Sequence, residues 1–159
     1  MTKVLPSLIL LAALTVSNAA VVRLAPDFSW PGAGNKNRSL RSLRGQSVVL
    51  LIADSPKNGK FRKQLKWLDE IYTSFAAKGV VFIAAFQQGE GPVRSDIPFV
   101  VATNGAAVAN AYGVKDGFSL VVIGRDGNVD YQTDRVRTGE RVRDVIQNSF
   151  AVQAPARKS

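Results

Sequence analysis

The sequence predicts an α/β fold of three layers, with a central mixed sheet of about four strands between helices. Three observations predict it. Residues 47–53 (SVVLLIA) and 80–86 (VVFIAAF) are continuous aliphatic runs, the pattern of strands covered on both faces. Between them lies a stretch with helical periodicity, and strand, helix and strand together make a right-handed crossover with two parallel neighbouring strands. Residues 118–123 (FSLVVI) and 128–131 then flank Gly124-Arg125-Asp126-Gly127, a turn that folds them into an antiparallel hairpin. The expected order is a βαβ unit, a β-hairpin and a C-terminal helix.

The elements follow from the N-terminus. Lys3 precedes an almost wholly apolar run over residues 4–16, and Ser17-Asn18-Ala19 places small residues at a cleavage site. Residues 1–19 therefore read as a signal peptide with a mature start at Ala20, too short and too weakly flanked for a membrane span. The product would be periplasmic or secreted, with no transmembrane span in the mature protein; the alternative is an uncleaved N-terminal anchor. Residues 20–45 form an extended lead-in, with Pro26, Pro31, Gly32 and Gly34 around Phe28 and Trp30, then a short helical turn closed by Gly45. The remainder, residues 46–150, is one domain. Its first helix carries Phe61, Leu65, Leu68, Ile71, Tyr72 and Phe75 as one stripe, and Lys78-Gly79 closes it. Residues 97–101 are a short extended piece, and residues 105–112 a small alanine-rich helix ended by Gly113. Residues 138–150 form the last amphipathic helix, carrying Val142, Val145, Ile146 and Phe150, and residues 151–159 a flexible basic tail.

Composition narrows the function classes. The 159 residues include 21 Lys+Arg against 12 Asp+Glu, a formal charge of +9 that favours acidic surfaces without choosing among them. There is no cysteine and no histidine. Thiol peroxidation, disulfide exchange and sulfenic-acid sensing all need a cysteine sulfur, so none of them is open to this chain. Ser55 has no histidine to act as its base. Zinc and haem ligation of the usual kinds fail for the same reason, so no metal or cofactor is expected. Asp126-Gly127-Asn128-Val129-Asp130 superficially resembles part of a calcium loop but lacks the terminal glutamate, and it reads as the hairpin turn. Aromatics make up 8% and fall mostly on core stripes rather than beside cations, which argues against nucleic acid as a partner.

Three ordered stretches carry a family resemblance. Ala25-Pro26-Asp27-Phe28 with Leu40, Leu43, Arg44 and Gly45 resembles the opening of the alkyl-hydroperoxide-reductase/thiol-specific-antioxidant proteins. Ala111-Tyr112-Gly113-Val114 and Ile123-Gly124-Arg125-Asp126-Gly127 resemble two later signatures of the same group. The chain thus resembles the thioredoxin-like superfamily in its peroxiredoxin/redoxin branch, over nearly all of residues 25–150. Residues 55–65 with Asp116-Gly117-Phe118 also resemble a peroxiredoxin-like domain family of unknown function that pairs this fold with a missing cysteine motif. The resemblance implies that a reactive cysteine would stand in the loop after the first central strand, where this chain reads Asp54-Ser55-Pro56-Lys57-Asn58-Gly59-Lys60-Phe61. It also implies a cis-proline before the hairpin, where Phe118 stands instead, Pro98 lying too early to replace it. Arg137 matches the family arginine that polarises a peroxide, here without a nucleophile to assist.

One candidate site remains. Lys57 and Lys60 lie at the start of the long helix, where the helix dipole disfavours cations, and Asn58-Gly59 can turn backbone N–H groups together. Lys57, Asn58, Gly59 and Lys60 are therefore candidates to bind an external anion, a carboxylate or phosphate on a partner. Arginines also group at Arg38, Arg41 and Arg44 and at Arg135, Arg137, Arg141 and Arg143. The expected function is an exported binding or accessory module without thiol redox activity, with an envelope or secreted protein as partner. The alternatives are a non-thiol enzyme using Asp54, Lys57 or Lys60, and a basic module docking on anionic envelope polymers.

Overall fold

A computed structural model of the chain describes residues 23–76, 79–89 and 91–153. The leader expected over residues 1–19, Lys78 and residues 154–159 lie outside them.

Five strands make the main sheet: β3 (Val48–Ala53), β4 (Val81–Phe86), β5 (Phe99–Val101), β6 (Phe118–Ile123) and β7 (Val129–Thr133), in the order β5-β4-β3-β6-β7. A separate hairpin joins β1 (Ser29–Pro31) to β2 (Asn37–Ser39). The helices are α1 (Gly59–Asp69), α2 (Tyr72–Ala76), α3 (Gly105–Ala111) and α4 (Gly139–Gln153). β3 runs parallel to β4, with Val48 opposite Val81, and antiparallel to β6, with Val48 opposite Ile123. The sheet is therefore mixed, and its fifth strand is the extended piece around Phe99, which pairs with β4.

The continuous apolar runs are explained by the two faces they serve. Side chains alternate along a strand, so Val49, Leu51 and Ala53 of β3 meet Phe61, Leu65 and Leu68 of α1 and Val142 and Ile146 of α4. Val48, Leu50 and Ile52 point the other way, toward Trp30, Leu40 and Leu43 of the lead-in and Val108 and Ala109 of α3. Every residue of β3 is buried. The lead-in is thus the cover of the second face: Trp30 is buried, and Tyr112 donates its phenol O–H to the Pro26 carbonyl at 2.9 Å. Burial holds that phenol far above its ordinary pKa.

The long helix expected across residues 61–78 is interrupted. α1 ends at Asp69, and the chain turns through Glu70 and Ile71 before α2 begins at Tyr72. Ile71, Tyr72 and Thr73 are β-branched or aromatic and weak helix formers. Ser74 restarts the helix, its N–H and Oγ both donating to the Ile71 carbonyl at 3.1 and 2.8 Å. The start of α4 crosses at this point, since a Cβ at Gly139 would collide with the Trp67 carbonyl. The break still leaves Phe75 buried against Phe82, ring centroids 5.9 Å apart. At the other end α4 runs on to Gln153, beyond the expected end at residue 150, because no breaker precedes Pro155.

Candidate functional site

The loop from β3 to α1 is closed by its own polar groups. Asp54 Oδ1 accepts hydrogen bonds from the Ser55 N–H at 2.7 Å and from Asn58 Nδ2 at 2.9 Å. Asn58 Nδ2 also donates to the Gly117 carbonyl at 3.3 Å, and that carbonyl accepts the Asp54 N–H at 3.1 Å. Asn58 Oδ1 accepts from the Phe61 N–H at 3.0 Å, which makes Asn58 the N-cap of α1. The loop is thereby tied to the residue before β6. Gly117 sits there with φ +68, a left-handed backbone that glycine adopts without strain.

The four anion-site candidates separate in space and in engagement. Lys57 is exposed, and Asn58 is committed to the cap. Gly59 opens α1 without a left-handed backbone. Lys60 sends its ammonium to the Asp134 carbonyl at 3.1 Å, toward the loop after β7. Lys57 thus faces solvent beside the loop while Lys60 leans away from it.

Arg137 lies in the segment before α4, and its backbone meets a side chain that sequence reasoning passed over. Gln64, fully buried on α1, donates from Nε2 to the Arg137 carbonyl and accepts the Arg137 N–H through Oε1, both at 2.8 Å. One amide side chain here imitates a strand partner. The signal was present, because residues 61, 64, 65 and 68 share one helical face and Gln64 is the polar member of it. Arg137 Nε is buried without a hydrogen-bond partner among the described residues.

Beside the closed loop opens a cleft of about 790 Å³, between α1 and the segment that follows β4. Phe61, Leu65 and Val93 supply apolar lining, and Lys57, Arg62 and Arg94 supply three cations. The walls are held in place by backbone contacts. The Gln87 and Gln88 N–H groups donate to the Ala53 and Asp54 carbonyls, each at 2.9 Å. Gly89 presses against the opposite wall, where a Cβ would lie 2.9 Å from Ser55 Cβ. Arg94 had no signature in the sequence, because only the path of the segment after β4 brings it next to α1.

The arginine groups are dispersed among partners. Arg41 pairs with Asp27 at 3.2 Å and Arg143 with Asp144 at 3.6 Å, while Arg141 lies over the Tyr131 ring, 5.8 Å from its centroid. Asp126 Oδ1 accepts the Asn128 N–H at 3.0 Å and its Oδ2 accepts Asn128 Nδ2 at 2.8 Å, so the calcium-loop look-alike is tied up as a hairpin turn. On β7, burial holds the Asp130 carboxyl above its usual range, the Ser149 hydroxyl it accepts from pulls the other way, and Asp126 pushes it further up.

Solved structures share this architecture. The mitochondrial 2-Cys peroxiredoxin of Plasmodium falciparum superposes with a TM-score of 0.64 at 19% identity, over 86% of this chain and 97% of that one. The chain has the thioredoxin fold. Peroxidoxin BcpB of Mycobacterium tuberculosis matches with a TM-score of 0.60 at 16% identity, over 84% of this chain and 97% of its own. An exposed lipoprotein thioredoxin of Streptococcus pneumoniae matches with a TM-score of 0.58 at 17% identity, over 77% and 99%. No family model and no curated protein matches the sequence. The shared property is the fold. Within it this chain supplies neither thiol nor imidazole, so the thioredoxin-fold chemistry of sulfur is closed to it.

Proposed function

We propose that this chain is an exported, thiol-independent binding module, in which the loop after the first central strand and the cleft beside it grip a partner without turnover. One observation carries the reading. The loop where the redoxin resemblance implies a reactive cysteine is here a closed hydrogen-bonded unit of Asp54, Asn58 and Gly117, and the open surface lies next to it. Such a loop stabilises the start of α1 and offers no thiol. An enzyme built on Asp54, Lys57 and Lys60 would need those groups to converge, whereas Lys60 is turned to the Asp134 carbonyl. The anion-facing part of the surface is Lys57 with the Gly59 N–H at the open end of α1. Export rests on the leader read from residues 1–19.

The purified chain is expected to consume neither hydrogen peroxide nor a disulfide substrate faster than buffer alone, and turnover of either would overturn the reading. Backbone amide signals of Lys57, Gly59 and Lys60 are expected to shift on titration with inorganic phosphate. Static signals would remove the anion-facing part. N-terminal sequencing of the natural product is expected to begin at Ala20, and a product retained inside the cell with an intact leader would refute export.

A further inference from the structure

We infer that the cleft between α1 and the segment after β4 takes an acidic peptide segment that also carries an apolar side chain. The inference rests on the binding-module reading and names the ligand class of that same surface.

Charge gives the first argument. Lys57, Arg62 and Arg94 all line the cleft, and none of the described lining residues is acidic, Glu90 between Gly89 and Gly91 lying outside the described residues. No side-chain hydrogen bond or ion pair to a described residue engages any of the three. Cations gathered around one opening repel one another, and in a recess of reduced dielectric that repulsion is screened less than on open surface. A ligand carboxylate relieves it. Elsewhere the chain satisfies cations internally, as with Arg41 on Asp27 and Lys60 on the Asp134 carbonyl.

Shape and polarity give the second. Phe61 and Leu65 close the base of the cleft from the core, almost fully buried, and its accessible apolar surface comes from Val93 and prolines 56 and 92. A phosphate polymer would satisfy the cations and leave the accessible Val93 and proline surface uncovered. A membrane surface meets protruding groups rather than a recess between two walls. An extended peptide alternates its side chains, so carboxylates can reach the cations while an aliphatic or aromatic group packs on Val93 and the prolines. The volume of about 790 Å³ holds several side chains. Both walls carry a proline and are pinned at Gly89 and at the Gln88 N–H, so little ordering remains to oppose association.

The test uses the full chain and a synthetic peptide in which glutamates flank two leucines. Binding is measured by calorimetry and mapped by backbone amide shifts. The shifts are expected at residues 55–65 and 91–94. Joint replacement Lys57→Ala, Arg62→Ala and Arg94→Ala is expected to weaken the peptide by about tenfold or more, with the melting temperature unchanged. Lys36→Ala, Lys66→Ala and Lys115→Ala together remove the same charge from exposed positions outside the cleft and are expected to cost less than about threefold. A peptide with serines for leucines is expected to bind much more weakly than the parent. Absence of peptide binding, shifts mapping elsewhere, or equal losses in the two triple variants would overturn the inference. So would serine peptide, polyphosphate or anionic vesicles binding as tightly as the parent peptide, since the cleft would then read charge alone. Any of these results, with peroxide and disulfide turnover still absent, leaves the binding-module reading standing; turnover would bring that reading down instead.

Discussion

Two neighbouring surfaces of this molecule use polar residues in opposite ways. In the loop from β3 to α1, Asp54 and Asn58 spend their hydrogen-bonding capacity on one another, on the Phe61 N–H and on the Gly117 carbonyl. In the adjoining cleft, Lys57, Arg62 and Arg94 reach no described partner. The loop groups contribute to stability and cannot engage a ligand without giving that up. The cleft cations add little to stability and remain available. The surface proposed to bind is therefore the one where internal satisfaction stops.

Substitutions can break or sharpen that contrast. The largest effect is expected behind both surfaces, at Gln64→Ala, which would strand the partly buried Arg137 N–H and carbonyl and open a void where the Gln64 amide is fully buried. Each orphaned group costs about 1–3 kcal/mol, so a loss of about 2–4 kcal/mol is expected in chemical denaturation. Asn58→Ala should cost about 1–2 kcal/mol by removing the cap and one partner of Asp54. A neutral result there would show that the loop is not the closed unit described. Lys57→Ala, Arg62→Ala or Arg94→Ala alone should change stability by less than about 0.5 kcal/mol. A clear loss would mean that the cleft cations are structural.

The smallest effect is expected far from both surfaces, at Asp130. Its folded carboxyl is raised, chiefly by burial, so the folded state holds the proton more tightly than the unfolded one. The associated stability is complete below the ordinary carboxylate range and is lost as pH rises through the raised pKa. Asp130→Asn should therefore remove this fall of melting temperature with rising pH across the acid range, with a change at neutral pH of about 2 °C or less. The same fall in the variant would remove Asp130 as its source.

The sheet was legible because burial on both faces writes continuous apolar runs at residues 47–53, 80–86 and 118–123. The break after Asp69 was not, since Ile71, Tyr72 and Phe75 continue the stripe on which periodicity depends. The candidate site was half visible. Local spacing pointed to residues 57–60, where helix and loop meet. It could not show that Lys60 would reach Asp134, 74 positions away, or that Arg94 would come to stand beside α1. Those placements depend on how distant segments cross, which a one-dimensional pattern does not record. Gln64 was the avoidable miss, a polar residue on an apolar face whose amide had to be answered by something.

The pairing of Gln64 with Arg137 has a mechanical consequence for the other side of α1. Two bonds from a single planar amide fix direction as well as distance, and a small slide of α4 along α1 would misalign both at once. The contact behaves as a stop rather than a spring. Phe61, Arg62 and Leu65 ride on that same helix, so a force applied from the cleft meets a backing that yields only by letting go.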